Sequence, residues 1–276
     1  MRLDKPIGTL LLLWPTLWAL WIAGAGRPSP DLVLVFVLGV VVMRSAGCVI
    51  NDFFDAPLDR HVARTRMRPL AHGDLSRREA LGIFATLLLL AFLLALWLNP
   101  LALALAFPGA LLAATYPLAK RVTYLPQAYL GVAFGWGIPM AFAAQSNALP
   151  WETWALLSAN IFWALAYDTL YAMTDREDDA RMGARSSALL FGRYDRLWIA
   201  LFQIATLGLL ALVGFRLALG APYLAGLVGA AGVAVHHQRL IRTRAPEQCF
   251  RAFLGNNWFG ALVFLGLWAS YLWPAG

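Results

Sequence analysis

Between Glu79 and Lys120 the chain runs through 40 residues without a charged side chain. A helix needs about 20 apolar residues to cross a bilayer, so this run suffices for two crossings. Asn99-Pro100 interrupts it near the middle, and proline disfavours helix in the residue before it. The expected structure is a hairpin of two helices, the second ending near Tyr116-Pro117. The rest of the chain has the same texture. Hydrophobic residues make up 61% and charged residues 13%, against about 25% charged in an ordinary soluble domain. The charges gather in short stretches between apolar runs. This excludes a soluble fold, and a closed barrel would show alternating segments of about ten residues instead. The expectation is an all-α polytopic membrane protein, with residues 1–276 as one domain.

Taken in order, the apolar runs mark nine spans: residues 7–25, 31–50, the two helices of the hairpin, 126–144, 151–173, 197–215, 221–235 and 252–273. Residues 51–79 and 174–196 are the long polar connections. Ser76-x-x-Glu79 reads as a capping box that starts the third span. Gly131, Gly135 and Gly137 suit close helix contact in the fifth. The first run, although preceded by Arg2, Asp4 and Lys5, is read as a permanent helix and not a cleaved signal. Nine spans put alternate connections on opposite sides. The N-terminus and the connections after the second, fourth, sixth and eighth spans hold 19 of the 22 Lys and Arg; the others are Arg27, Arg44 and Arg216. That bias places those connections, and both acidic stretches, at the cytoplasmic face. It also accounts for the net charge of +7, so no nucleic-acid partner is expected. Cys48 and Cys249, and the four histidines, show no metal-ligand spacing.

Two acidic stretches stand at the ends of spans on the expected cytoplasmic side. The first is Asn51-Asp52-Phe53-Phe54-Asp55-Ala56-Pro57-Leu58-Asp59. Asn51, Asp55 and Asp59 are four apart, so a continuing helix stacks them on one face. The second holds Asp175, Asp178 and Asp179. Arg44 precedes Asn51 by seven residues and Asp168 precedes Asp175 by seven, about two helical turns. Each cluster thus has one ionisable residue deeper on its own face, where buried charge usually lines a cavity. The equal spacing suggests two four-helix repeats plus a ninth helix, with the clusters facing each other across a central cavity. Oxygen donors in this arrangement suit Mg²⁺. With Arg64, Arg68, Lys120 and Arg121 nearby, they describe a site for a lipid diphosphate.

These residues resemble the UbiA superfamily of intramembrane prenyltransferases. Its first motif, N-D-x-x-D-x-x-x-D, stands here as Asn51, Asp52, Asp55 and Asp59, and its second as Asp175 and Asp179. Several stretches are most similar to the branch that prenylates 4-hydroxybenzoate. They are Tyr167-Asp168-Thr169-x-Tyr171-Ala172-Met173, Arg2-x-x-Lys5-Pro6-x-Gly8, Arg44-Ser45-Ala46-Gly47-Cys48, Arg68-Pro69-Leu70 and Tyr116-Pro117-x-x-Lys120-Arg121. The resemblance implies a nine-helix bundle and Mg²⁺-dependent transfer of a polyprenyl chain, octaprenyl by preference, from its diphosphate to the carbon ortho to the phenol. That step belongs to ubiquinone biosynthesis. Asn51, Asp55, Asp59, Asp175 and Asp179 would then hold Mg²⁺. Arg64, Arg68 and Lys120 would contact phosphate oxygens, Arg44 or Arg121 would pair with the aromatic carboxylate, and Asp168 or Tyr171 would lie near the acceptor ring. Two other readings stay open: a prenyltransferase with another aromatic acceptor, and a cation-coupled transporter using the acids as ion sites.

Overall fold

The computed structural model describes residues 1–60, 65–183 and 185–273, without the side chains of Leu58, Lys120 and Met182. Among the described residues there are helices and no strands. The first half contains α1 (Ile7–Ala23), α2 (Pro30–Asp59), α3 (Pro69–His72), α4 (Arg77–Ala95), α5 (Pro100–Thr115), α6 (Ala119–Val122), α7 (Pro126–Gly135) and α8 (Gly137–Ser146). The second contains α9 (Trp151–Thr174), α10 (Arg176–Met182), α11 (Ser187–Phe191), α12 (Asp195–Arg216), α13 (Ala221–Leu240) and α14 (Pro246–Leu272). Short 3₁₀ turns, Tyr116–Leu118 and Gly192–Tyr194, join α5 to α6 and α11 to α12. Five stretches are long and apolar enough to cross a membrane: Pro30–Pro57, Arg77–Ala95, Pro100–Leu118, Ser187–Arg216 and Pro246–Leu272. Their exposed side chains include Leu89, Phe107, Leu111 and Phe215, as expected of a surface solvated by lipid. The protein is a multi-pass membrane protein.

Local chemistry explains the element ends. Ser76 Oγ accepts from Glu79 N at 3.2 Å while Glu79 Oε2 accepts from Ser76 N at 2.8 Å, so the expected capping box starts α4. Asn99 caps α5 by accepting from Ala102 N at 2.9 Å. α13 runs on to Leu240 and α14 starts at Pro246, each longer than its expected span, and two further elements differ more deeply from the sequence reading. First, α2 does not stop at Ile50 but continues through the acidic stretch to Asp59. Pro57 has no N–H to offer the Phe53 carbonyl, and Arg77 Nη2 donates to that carbonyl at 3.3 Å. Second, the fifth span is two segments parted at Trp136. Pro139 has no N–H for the Gly135 carbonyl, and the Trp136 indole is held by Leu105 O at 2.8 Å. The second polar connection is also not structureless, since α10 and α11 lie within it.

Interhelical ties sort the connections onto two faces. On one face Arg121 Nη2 donates to Phe54 O, Arg185 Nη1 to Val122 O, and Arg244 Nη2 to Arg193 O. These tie together the connections after α2, α5, α9 and α13. On the other, Ser29 N donates to Gln145 Oε1, Gly220 N to Ser270 Oγ, and Arg216 lies over the Trp151 ring. The core is aromatic. Trp163 of α9 lies 5.4 Å from Trp18 of α1, 5.5 Å from Phe259 of α14 and 5.4 Å from Tyr167. Close backbone approach supports it. A Cβ on Gly131 would lie 2.8 Å from Ile161 Cα, and one on Gly226 would lie 2.6 Å from Leu262 O. The glycines thus let α7 meet α9 and α13 meet α14, as close contact in membranes requires.

Candidate active site

Because α2 stays helical past Ile50, it carries Asn51, Asp55 and Asp59 on one face, one turn apart. Asp55 and Asp59 are buried and Asn51 is half-buried. Asn51 Nδ2 donates to Asp55 Oδ2 at 3.0 Å. Arg68 Nη1 donates to Asp59 Oδ2 at 2.7 Å and to Asp52 Oδ1 at 3.3 Å, and Asp52 is also ion-paired with Arg2. Burial raises the pKa of Asp59 above its ordinary value, an effect that Arg68 partly offsets. Burial lowers the pKa of Arg2, but the Asp52 carboxylate, together with Cys48 and Tyr171, outweighs it, so the net direction is upward.

The second motif is built at a bend. Asp175 is where α9 ends and α10 begins, with φ −102° and ψ 9°. Asp179 N still donates to Asp175 O at 2.9 Å, so the two aspartates remain one turn apart. Arg176, between them, turns to Asp195, whose side chain is fully buried at the start of α12. Arg244 grips the same carboxylate from the α13–α14 connection, through Nε at 2.9 and 3.1 Å and Nη2 at 2.9 Å. Those hydrogen bonds raise the pKa of Arg244.

Beside the first motif helix lies a cavity of about 200 Å³, walled by α1, α2, α4, α5, α7 and α8. Its lining is apolar and aromatic, with Phe92, Phe107, Phe134 and Trp136 among the walls and Arg44, Gly47 and Tyr116 at one end. Gly47 precedes Asn51 by one turn, so that end lies about 6 Å below the first motif along α2. Tyr116 donates its hydroxyl to Gly47 O at 3.0 Å. The Arg44 guanidinium rests against Gly8 of α1 and stands 5.9 Å from the Phe134 ring centre. It is also within electrostatic reach of Tyr167 on α9. Arg2, from the first motif's side, is within reach of Tyr171 on the same helix.

The other expected residues fall as follows. Arg121 is exposed and bound to the backbone of α2, its guanidinium 5.6 Å from the Phe54 ring centre. Tyr171 packs 5.0 Å from Phe253 of α14. Asp168 is half-buried on α9 beside Tyr167. Arg64 and the side chain of Lys120 lie outside the described residues. Among the described residues no three Asp, Glu, His or Cys side chains gather closely enough to close a metal shell. In the first motif Asp52 and Asp59 meet guanidinium groups. The donor chemistry nonetheless fits Mg²⁺, since hard oxygen ligands recur at one-turn spacing on both motifs, and two of the carboxylates of α2 are buried beside cations. Sequence reasoning missed Arg2, Asp195 and Arg244 as parts of this assembly. The only available signal for Arg2 was its place in the stretch before Lys5-Pro6, and the charged residues of the later connections carry none.

Comparison with known proteins follows the same lines. A family model described as the UbiA prenyltransferase family matches residues 12–272. A 4-hydroxybenzoate octaprenyltransferase from Methylococcus capsulatus is 59% identical over 273 residues, covering 99% of this chain and 94% of the relative. A protein of the same name from Nitrosococcus oceani is 60% identical over 272 residues, covering 99% and 95%. Among solved structures, the apo UbiA homolog from Aeropyrum pernix K1 superposes with a TM-score of 0.83 at 24% identity, covering 96% of this chain and 98% of that one. A UbiA homolog from Archaeoglobus fulgidus bound to DMAPP and Mg²⁺ gives 0.74 at 19% identity, covering 99% and 98%.

Proposed function

Since the chain belongs to the UbiA prenyltransferase family, we propose that it transfers a polyprenyl chain, octaprenyl by preference, from its diphosphate to the carbon ortho to the phenol of 4-hydroxybenzoate. The observation that carries this reading is the placement of Arg44 and Tyr116 at the end of an apolar cavity, one turn below the first acidic motif. The relatives named 4-hydroxybenzoate octaprenyltransferase support the choice of substrates. The step belongs to ubiquinone biosynthesis.

Asn51, Asp55 and Asp59 of the first motif, with Asp175 and Asp179 of the second, would hold Mg²⁺, an ion present with DMAPP in the Archaeoglobus fulgidus homolog. When bound, it supplies positive charge that draws electrons from the leaving diphosphate. Arg68, Arg64 and Lys120 take phosphate oxygens, where guanidinium and ammonium groups form charge-assisted hydrogen bonds. Arg44 pairs with the aromatic carboxylate. It lines the cavity, whereas Arg121 is spent on the backbone and ring of Phe54. Asp168 and Tyr171 stand on the acceptor side, on α9. As the C–O bond to diphosphate breaks, the phenol oxygen pushes electron density into the ring. The ortho carbon bonds the prenyl carbon, and the ring then loses its proton. The apolar wall keeps water from the allylic cation.

Ligand pockets for drug-sized molecules run to about 300–1,000 Å³, so a cavity of about 200 Å³ cannot enclose an octaprenyl chain. The distal units pass out along α4 and α5, the thinly covered wall, into lipid. By the distribution of Lys and Arg, the diphosphate site faces the cytoplasm across the bacterial inner membrane.

The test is direct: purified protein in detergent, Mg²⁺, radiolabelled 4-hydroxybenzoate and prenyl diphosphates of several lengths. Label passing into the organic phase, most with octaprenyl diphosphate, is expected. A preference for homogentisate or dihydroxynaphthoate would overturn the acceptor. No diphosphate-dependent product would overturn the enzyme reading in favour of transport.

A further inference from the structure

Asp52 stands in the first motif, where it is tied to two arginines. It follows Asn51 by one residue and precedes Asp59 by seven, so it projects about 100° around α2 from Asn51 but only about 20° from Asp59. Its carboxylate takes two guanidiniums, Arg2 from ahead of α1 and Arg68 from the connection after α2, and Arg68 reaches on to Asp59 at 2.7 Å. The result is an alternating row, Arg2, Asp52, Arg68, Asp59. The first guanidinium of the row is within electrostatic reach of Tyr116 at the cavity end and Tyr171 on the helix of the second motif. Arg2 holds φ +56°, a left-handed backbone that non-glycine residues adopt only when surroundings impose it. A turn, Lys5 N to Arg2 O at 3.1 Å, and the pair with Asp52 are what hold it there.

We propose that Asp52 is not a metal ligand but the anchor of a two-arginine clamp, and that Arg2 is a diphosphate-binding residue supplied by the segment before α1. The proposal rests on the diphosphate site described above. Both guanidiniums keep donors to spare, since each has five N–H groups in a planar fork. A diphosphate arriving at the first motif therefore meets a pair of forks already oriented by one carboxylate. Asp52 acts through those arginines and is a positioning residue.

Inorganic diphosphate with Mg²⁺ is the probe, and binding to the purified full chain by calorimetry is the readout, alongside KM and kcat for the prenyl donor. R2Q is expected to weaken diphosphate binding about tenfold and raise the donor KM, leaving the Mg²⁺ concentration for half-saturation unchanged. D52N is expected to do the same or more, and R2Q/D52N to be no worse than D52N, because both remove one clamp. R2K is expected to restore part of the affinity, as a point charge replaces a fork. D55N separates the two levels of the argument. If D55N abolishes diphosphate binding and R2Q leaves it intact, the Arg2 assignment is overturned and the diphosphate site stands. If neither variant changes binding, the diphosphate site itself is overturned. A D52N protein whose Mg²⁺ requirement rises as that of D55N does would make Asp52 a ligand and end the proposal.

Discussion

Replacing Asp195 by Asn removes the charge that holds two arginines together beneath the second motif. Asp195 is fully buried, while Arg176 and Arg244 are 28% and 36% exposed. Removing one partner of a buried ion pair costs about 3–5 kcal/mol because the other charge is left uncompensated. Here the stranded charges are partly solvated, which lowers the figure toward that of exposed pairs, and about 2–3 kcal/mol is expected. For a chain of this size each kcal/mol moves the melting midpoint by about 2–4 °C, so D195N should melt about 4–12 °C lower. The protein carries its own reporters, since Cys48 and Cys249 are free and buried. A thiol-reactive dye in detergent, scanned at one fixed rate, then reports unfolding. The double variant D195N/R244Q removes one stranded cation and should recover part of the loss. A midpoint for D195N within about 1 °C of wild type, the size of an ordinary surface substitution, would refute the reasoning. So would strictly additive effects of D195N and R244Q.

Other outcomes follow from single contacts. D55N or D179N should abolish prenyl transfer while thermal unfolding by the same dye changes little; full turnover with Mg²⁺ present would contradict their role. G8A puts a methyl where the Arg44 guanidinium lies, and the flexible side chain yields. The KM for 4-hydroxybenzoate should rise about tenfold, or about 1.4 kcal/mol, with the donor KM and the melting point unchanged. G266A meets backbone instead, at 2.8 Å from Gly226 Cα, and should cost about 1–3 kcal/mol by overpacking, seen as early dye reaction. Burial raises the pKa of Asp59, so the metal-free fold holds its proton more tightly than the unfolded chain does. With Asp59 as the proposed Mg²⁺ ligand, the ion would have to displace that proton, and half-saturating Mg²⁺ should rise as pH falls, starting above the ordinary aspartate range; a flat profile would contradict it.

The membrane class was legible because an uncharged run from Ala80 to Ala119 admits no soluble solution, and the hairpin because Asn99-Pro100 breaks it with both a cap and a missing N–H. The acidic motifs were legible because one-turn spacing is a local property. What local spacing does not carry is which distant cation reaches which carboxylate. Arg44 was traceable, since it sits on the motif helix itself. Arg2 comes from 50 residues away in sequence and Arg244 from 49, and the packing of α1 against α2 and of α12 against α13 brings those connections into range. The break at Trp136 was hidden for another reason. Pro139 signals it, but apolar helices of this chain also continue through Pro15 and Pro108, so a proline alone does not mark a break.

The burial of Asp52, Asp55 and Asp59 at a membrane boundary is costly unless positive charge is close at hand. Arg2 and Arg68 answer that need with guanidiniums held by Asp52 and Asp59. A divalent cation with its diphosphate adds both signs at once, so it can enter this row without stranding a charge. In the proposed complex Asp59 would turn to Mg²⁺ and Arg68 to phosphate oxygen, while Asp52 would still hold Arg68 in position. A carboxylate that grips arginines but not the metal would let the exchange occur without loss of order. On that proposal Asp52, rather than Asn51, Asp55 or Asp59, would decide whether the first motif works as a clamp or only as a charge.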